Sequence, residues 1–170
     1  MLTVALPKGR LLEPLGALAE AGGLPLAAAL RAAGRALVVE RNADVLRLMR
    51  FPFGHCRLCL IAADGPRPAE EGGGLVIASK YPRLAAELAA RRGHQATVIP
   101  LAGSVELAAR LGLADAVVDL VETGRTLREN GLHPVEEWLR VAPYLIANRA
   151  AFHFRRDEIR ALGRTLGGAL

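Results

Sequence analysis

The sequence predicts an α/β fold built on a parallel sheet. Three observations carry this prediction: apolar segments of strand length alternate with segments of helical spacing, glycines follow the helical segments, and polar turns separate the two kinds. The most regular stretch, residues 75–120, has the order strand, helix, strand, helix, strand. Strands connected through helices in this way lie parallel in one sheet, with right-handed crossovers.

Local patterns along the chain predict the individual elements. In the first helix, Leu11, Leu15 and Leu18 recur at helical spacing, and the Gly22-Gly23 pair terminates it. Residues 64–74 are rich in Asp, Gly, Pro and Glu and predict a loop or linker. Strands are predicted at residues 2–6, 36–40, 57–62, 75–78, 95–99, 115–120, 134–139 and 144–148. Helices are predicted at residues 10–21, 82–92, 104–110, 126–130 and 156–166.

Length and composition limit the class of protein. Of the 170 residues, 52% are hydrophobic and 23% are charged, which excludes disorder as the main state and leaves room for one or two domains. Every apolar stretch is interrupted well before the roughly 18 residues that a membrane helix needs. The N-terminal segment places its apolar residues before its charges, the reverse of a secretory signal. We therefore expect a cytoplasmic protein with no membrane partner.

The charge balance indicates an anionic partner. Lys and Arg outnumber Asp and Glu by 22 to 17, and the pI is near 10.0. The basic residues are scattered and only 4% of the residues are aromatic, so we expect no nucleic-acid binding. The two lysines of the chain, Lys8 and Lys80, each follow a strand-like segment and adjoin a proline or lie close to one. This placement favours sites that need a compact ammonium group, and two surface lysines retained by chance are the alternative.

Residues 117–127 carry the most specific local signal. A buried strand ends in acidic residues, and a Thr-Gly-Arg-Thr turn then opens a helix in which Thr126 and Glu129 have capping-box spacing. The backbone N–H groups and hydroxyls of this turn suit a phosphate monoester, which Gly124 would allow to approach closely and Arg125 would attract. The acidic residues upstream could accept hydrogen bonds from ribose hydroxyls or hold Mg²⁺. A capped turn that binds nothing is the alternative.

Three further strand-to-helix junctions are polar. Lys8 and Arg10 flank a glycine after the first strand, Lys80 stands two residues before Pro82, and Ser104 is placed to cap a later helix. In α/β proteins, ligands bind at the carboxyl ends of the strands. Four polar junctions of this kind predict a site for a phosphate-rich ligand.

The cysteines and histidines do not predict a metal or redox site. Cys56 and Cys59 lie three residues apart on a predicted strand, so their side chains point to opposite faces. We expect two reduced thiols instead of a zinc or disulfide centre. The four histidines share no metal-ligand spacing, and His94 and His133 lie beside or close to glycines in predicted turns. We expect all four to be solvated or loop residues.

Eight strings resemble the ATP phosphoribosyltransferase family in its short form, in family order and over nearly the whole chain. The strings are LPKGR at 6–10, RNADV at 41–45, FGHCRL at 53–58, SKYP at 79–82, GSVEL at 103–107, LADAVVD at 113–119, VETGRTL at 121–127 and NR at 148–149. The resemblance implies a two-lobed α/β fold of the type II periplasmic-binding-protein kind, with mostly parallel sheets and an active site in a cleft between the lobes. Residues 1–62 with 142–170 would form a first, ATP-side lobe, residues 63–74 a linker, and residues 75–141 a second lobe that binds phosphoribosyl pyrophosphate.

The resemblance also implies the reaction and the residues that serve it. Members transfer the phosphoribosyl group of phosphoribosyl pyrophosphate to N1 of ATP with Mg²⁺, releasing pyrophosphate, as the first step of histidine biosynthesis. The reaction needs no covalent nucleophile, and fixed cations stabilise the leaving group. By the family pattern, the residues facing the pyrophosphate or the ATP phosphates are Lys8, Arg10 and Lys80. Those on the donor side are Glu106, Asp119, Glu122, Thr123, Gly124, Arg125 and Thr126. No residue is assigned as a metal ligand.

The resemblance implies protein partners as well. Short-form members work with a histidyl-tRNA-synthetase-like regulatory subunit, so we expect a homodimer or a hetero-oligomer with such a subunit.

The chain departs from the family in its first lobe. Between the strings at 41–45 and 53–58, family members carry a further helix and strand, and here only residues 46–52 stand in their place. The alternative to an active enzyme is therefore a non-catalytic or partner-dependent module that binds phosphoribosyl pyrophosphate or a nucleotide.

Overall fold

The structure is a computed structural model that describes residues 6–7, 11–21, 32–33, 37–38, 40–64 and 74–167. It divides the chain into two compact units: unit 1 is Met1–His55 with Ala142–Leu170, and unit 2 is Cys56–Val141. The strands are β1 Leu6–Pro7, β2 Ala32–Ala33, β3 Val45–Arg50, β4 Cys56–Ala63, β5 Leu75–Ser79, β6 Ala96–Pro100, β7 Ala116–Val121, β8 Leu132–Val141 and β9 Tyr144–Asn148. The helices are α1 Leu12–Ala21, α2 Pro82–Arg91, α3 Glu106–Arg110, α4 Arg125–Glu129, α5 Arg149–Phe154 and α6 Arg156–Thr165. Within the described ranges, the helices are too short or too polar to cross a membrane.

Unit 2 is built on a five-stranded sheet with the order β6-β5-β7-β4-β8. β5 pairs in parallel with β6 and with β7, which confirms the parallel arrangement predicted for residues 75–120. β4 pairs antiparallel with β7 on one side and with β8 on the other. The α/β class is therefore confirmed, and in this mixed sheet β6, β5, β7 and β8 run in one direction and β4 runs against them.

The position of β4 moves the boundary between the units. The division made from the sequence put residues 56–62 in the first lobe, whereas the structure places them in unit 2, where β4 is an interior strand of the sheet. β7 and β8 hydrogen-bond to β4 along most of its length. A central strand has its backbone groups satisfied from both sides, so it cannot be assigned apart from its sheet.

The core of unit 2 lies on both faces of this sheet. Along β4, Leu58 and Leu60 point to one face and Cys59 and Ile61 to the other, and all four are at most 1% exposed. The face with Cys59 and Ile61 packs against the buried side of α3. Each large apolar side chain buried in this way contributes roughly 1.5–3 kcal/mol to the stability of the fold. This packing stabilises the contact between α3 and the sheet.

Unit 1 contains two short sheets, β1 with β2 in parallel and β3 with β9 antiparallel. Its core is formed by Leu15 and Ala19 of α1, Phe51 after β3, and Leu166 after α6. Because α1 and α6 meet in this cluster, segments from both ends of the chain form one unit.

Two predictions for unit 1 were wrong. Of the predicted strand at 36–40, the described residues Leu37, Val38 and Glu40 lie outside any strand. Turn hydrogen bonds explain this: the N–H of Arg41 donates to the carbonyl of Leu37 (3.2 Å) and that of Ala43 to Val38 (3.1 Å). Conversely, β3 was missed, because its register with β9 shifts between residues 47 and 49 and the strand loses the strict alternation that marks one in sequence.

Gly54 occupies a backbone conformation that disfavours other residues, and we predict that Gly54→Ala destabilises the protein. Its φ is +67°, and a Cβ there would overlap Leu11 Cδ2 and lie 3.2 Å from Pro143 Cγ. We expect a loss of about 1–2 kcal/mol in the free energy of unfolding. Gly16→Ala, in the interior of α1 with open space around it, should instead gain about 0.5–1 kcal/mol. Urea unfolding of the full chain measures both, and equal midpoints for the two variants would show that Gly54 is unconstrained.

Candidate functional site

Three polar junctions of unit 2 lie along one edge of its sheet. β5, β6 and β7 run parallel, and in their register Ser79 is opposite Pro100 on one side and Val118 on the other. The loops that follow these strands therefore leave the same edge, where ligands of α/β proteins bind. Lys80 lies at the centre of this edge, with residues 101–105 and 119–124 on its two sides.

Lys80 and Asp119 form an ion pair at this edge. Lys80 Nζ lies 3.3 Å from Asp119 Oδ2, and the two side chains are 37% and 20% exposed. The other oxygen, Asp119 Oδ1, accepts a hydrogen bond from the backbone N–H of Leu120 at 2.8 Å. The carboxylate is thus fixed by the backbone, and the ammonium group remains within reach of solvent and of a ligand.

The loop after β7 has the form that a phosphate would need, although not the predicted cap. Gly124, with φ +70°, is the N-cap of α4 and has no side chain to donate or accept there. The predicted capping box of Thr126 and Glu129 is wrong, because the helix begins one residue earlier and Glu129 pairs with Arg125 instead, at 3.2 Å. The Thr123 hydroxyl lies 3.5 Å from the N–H of Arg125. Thr123, Arg125 and Thr126 are exposed, so their polar groups are accessible.

The remaining predicted site residues have different positions. Glu106 is the first residue of α3 and is half-buried, and Glu122 is exposed directly after β7. The predicted cap at Ser104 is wrong: α3 begins after the buried Val105, and no side chain caps it. Lys8 and Arg10 lie outside the described residues. The structure therefore brings Lys80, Asp119 and the 122–126 loop to one edge and leaves the two N-terminal cations as a prediction.

The described residues hold no ready-made metal centre. Among them, no three His, Cys, Asp or Glu side chains gather closely enough to bind one ion. Cys56 is half-buried and Cys59 is buried, and neither forms a disulfide. Burial raises the pKa of the Cys59 thiol above its ordinary value of 9.0, so this thiol is protonated and a poor nucleophile at neutral pH.

A polar cluster that the sequence did not reveal joins the end of α2 to β8. Glu136 accepts hydrogen bonds from Arg92 Nε (3.0 Å) and Trp138 Nε1 (3.0 Å), and His94 Nε2 lies 3.3 Å from it. His94 is thus a loop residue, as expected, but one with a carboxylate partner. His133, expected in a turn, lies on β8 and faces Asp64 at 3.4 Å. Glu136 and Trp138 lie two residues apart and therefore share one face of β8, which the sequence shows. Their partners lie 42 to 46 residues away in the chain, so the sequence does not show the cluster.

The hydrogen bonds of Glu136 predict a pH-dependent contribution to stability. Burial alone would raise its pKa, but hydrogen bonds from Trp138 and His94 and the charge of Arg92 together lower the pKa below the ordinary 4.5. A carboxyl with a lowered pKa stabilises the fold above its ordinary pKa, and this stability is lost as the pH falls through the lowered value.

We predict that Glu136→Gln lowers the thermal midpoint at pH 7 and that this deficit becomes smaller as the pH falls toward 3. The cost is about 1 kcal/mol at most, because this side chain is 39% exposed and solvent screens it. Glu87→Gln, which removes a carboxylate from the surface of α2, is the matched control. Scanning calorimetry from pH 3 to pH 7 measures the difference, and a deficit that is the same at both pH values would contradict the assignment.

Comparison with known proteins identifies the family. The sequence model of the family described as HisG: ATP phosphoribosyltransferase matches residues 27–168. A protein of Sorangium cellulosum named ATP phosphoribosyltransferase is 37% identical over 204 aligned positions, covering 99% of this chain and 95% of that protein. A relative of the same name from Thermococcus kodakarensis is 43% identical over 139 residues, covering 81% of this chain and 68% of its own length. The 204 positions exceed the 170 residues of this chain by 34, so at least that many positions of the Sorangium relative have no counterpart here.

The fold agrees with the sequence comparison. The ATP phosphoribosyl transferase (HisG:HisZ) complex of Thermotoga maritima contains a chain with a TM-score of 0.81 and 25% identity, matched over 98% of this chain and 97% of that one. The periplasmic VFT2 domain of BvgS from Bordetella pertussis has a TM-score of 0.62 at 18% identity, over 95% of this chain and 79% of its own, and shows the shared periplasmic-binding-protein-like fold. The chain belongs to the ATP phosphoribosyltransferase family, the transferases of the first step of histidine biosynthesis.

Proposed function

We propose that the edge of unit 2 formed by Lys80, Asp119 and residues 122–126 binds phosphoribosyl pyrophosphate for the reaction of this family, transfer of the phosphoribosyl group to N1 of ATP. The observation that carries the proposal is the position of the Lys80–Asp119 pair beside the glycine-containing loop after β7, at the carboxyl ends of parallel strands. One cation and one loop with exposed threonine hydroxyl groups and a glycine, held at one edge of the sheet, suit a ligand with phosphate at two ends.

The loop after β7 is proposed to bind the 5-phosphate and the ribose. Thr123 and Thr126 present hydroxyl groups, Arg125 presents a cation, and Gly124 leaves room for a phosphate oxygen to approach the backbone. Charge-assisted hydrogen bonds from such donors are about twice as strong as neutral ones. Glu122, at the end of β7, and Glu106, at the start of α3, are proposed to lie on the donor side, where carboxylates accept hydrogen bonds from ribose hydroxyls.

Lys80 is proposed to face the pyrophosphate. When the bond between C1 of the ribose and pyrophosphate breaks, the leaving group gains negative charge, and a fixed ammonium group lowers the energy of that state. The ion pair with Asp119 keeps Lys80 in position before the substrate arrives. Lys8 and Arg10 are assigned to the pyrophosphate or the ATP phosphates by the family resemblance alone.

Magnesium is proposed to enter as part of the substrate. The described residues offer no cluster of three ligands for a resident ion. Pyrophosphate oxygens are ligands that Mg²⁺ prefers, and Mg²⁺ commonly binds through substrate phosphates with few protein ligands. Removal of Mg²⁺ is therefore expected to abolish turnover through the substrate and to leave the folded protein intact.

Unit 1 is proposed to be the ATP side, and a second protein is a proposed partner. The Thermotoga maritima relative is found in a complex of HisG with HisZ. On this likeness we assign to the present chain a histidyl-tRNA-synthetase-like regulatory subunit, in a hetero-oligomer or alongside a homodimer.

A second candidate function is a module that binds phosphoribosyl pyrophosphate without turnover on its own. The observation that favours it is the shortfall of at least 34 positions against the Sorangium cellulosum relative. A shortened ATP side would leave donor binding in unit 2 intact.

Two assays on the full chain distinguish these functions. Calorimetric titration with phosphoribosyl pyrophosphate and Mg²⁺ tests donor binding, and formation of phosphoribosyl-ATP, followed by absorbance with pyrophosphatase present, tests turnover with and without a HisZ-type subunit. Binding with turnover in either condition supports the enzyme. Binding without turnover in both supports the module, and a folded protein that gives no binding heat contradicts the proposed site.

A further inference from the structure

Ser79 is a fully buried polar residue at the end of β5, directly before Lys80. Its exposed fraction is 0%, although its side chain carries a hydroxyl group. The hydroxyl donates to the backbone carbonyl of Val118 at 2.7 Å and accepts from the backbone N–H of Tyr81 at 3.0 Å. A buried hydroxyl is costly unless both bonding roles are used, and here both are.

These two hydrogen bonds surround Lys80. The bond from Tyr81 closes a turn between residues 79 and 81, so the backbone on either side of Lys80 is fixed. The bond to Val118 ties that turn to β7 at the residue before Asp119, whose carboxylate pairs with the Lys80 ammonium group. The ladder already pairs these two strands, and the hydroxyl adds a side-chain link at their last paired position, next to both residues of the ion pair.

We propose that Ser79 is a positioning residue, which acts through Lys80 to hold the ammonium group where the pyrophosphate of the donor binds. This inference rests on the proposed function, because it requires that Lys80 contacts the donor. If the Ser79 hydroxyl had only a structural role, its loss would lower the stability of unit 2 and would have no specific effect on Lys80.

A double-mutant cycle separates the two roles. The phosphoribosyl pyrophosphate dissociation constant is measured by calorimetry for the wild type, Ser79→Ala, Lys80→Ala and the double variant, all as the full chain with Mg²⁺. We expect Ser79→Ala to weaken binding about tenfold, the effect of one lost hydrogen-bonded constraint. In the Lys80→Ala background the same change should have no further effect, because the group that it positions is gone.

The control variant is Ile77→Val. Ile77 lies two residues earlier on β5, is also 0% exposed and points to the same face as Ser79. The change therefore removes one buried methylene group and leaves the turn unaltered. Its dissociation constant should equal that of the wild type. If Ser79→Ala does not fold, Ser79→Cys, which keeps the shape and weakens the hydrogen bonds, takes its place in the same cycle.

The KM values give an independent readout. Ser79→Ala should raise the KM for phosphoribosyl pyrophosphate and leave the KM for ATP unchanged, whereas a general loss of folded protein lowers only the amount of active enzyme.

Each outcome has a definite meaning. Weaker binding for Ser79→Ala that disappears in the Lys80→Ala background supports the positioning role. An equal loss in both backgrounds, or no loss in either, overturns it while leaving the donor site intact. Unchanged affinity in Lys80→Ala alone contradicts the proposed function itself.

Discussion

Lys80→Ala is expected to lower kcat/KM for phosphoribosyl pyrophosphate about a hundredfold, the usual scale for removing one preorganised group that stabilises a developing negative charge. The ammonium group is held 3.3 Å from Asp119, which is itself fixed by the N–H of Leu120, so little reorganisation is needed during the reaction. Lys80→Arg should recover only part of the loss, because a planar guanidinium does not reproduce a compact ammonium group.

The control for Lys80→Ala removes one positive charge from α2, the helix that follows Lys80 in the chain. The control variant is Arg91→Ala. Arg91 lies at the C-terminal end of α2, forms an ion pair with Glu87, and has a side chain that is 69% exposed. Steady-state kinetics with both substrates varied should show no change in kcat/KM for Arg91→Ala. A comparable decrease in the two variants would mean that net charge, and not the position of Lys80, controls the reaction.

Gly124→Val is expected to weaken binding of phosphoribosyl pyrophosphate about a hundredfold. The backbone at this position has φ +70°, a conformation that is strongly unfavourable for a β-branched residue. The Cβ of the valine would lie 3.4 Å from Arg128 Nη1 and 3.7 Å from Val121 Cγ1. The loop would shift away from the phosphate. Losing two charge-assisted hydrogen bonds of about 1.5 kcal/mol each corresponds to this fall in affinity.

Gly131→Val separates strain from ligand binding. Gly131 follows the other end of α4, has φ +68° and has open space around it, so its replacement carries the same conformational cost without filling the loop. Both variants should lose thermal stability, and only Gly124→Val should lose calorimetric affinity. Equal affinities in the two variants would remove the loop after β7 from the donor site.

The secondary structure of unit 2 was largely predictable because local signals there are consistent. Between residues 75 and 121, apolar runs of strand length, amphipathic helices and terminal glycines agree with one another, and β5, α2, β6, α3 and β7 form within a few residues of their predicted bounds. In unit 1 the local signals conflict with the tertiary structure. β3, which was not predicted, has a register shift relative to β9. α5, which was not predicted either, is a short helix capped by Asn148, whose Oδ1 accepts a hydrogen bond from the N–H of Ala151 at 2.6 Å.

The sequence by itself determined the α/β class, the family and the loop after β7, because each rests on residues that are close together in the chain. Only the tertiary structure decided the antiparallel placement of β4, the pairing of Lys80 with Asp119 and the burial of Ser79 against Val118. The last two contacts join residues 39 positions apart. Such pairs form only when β5 and β7 become neighbours in the sheet, and no local pattern specifies which distant strand that neighbour is.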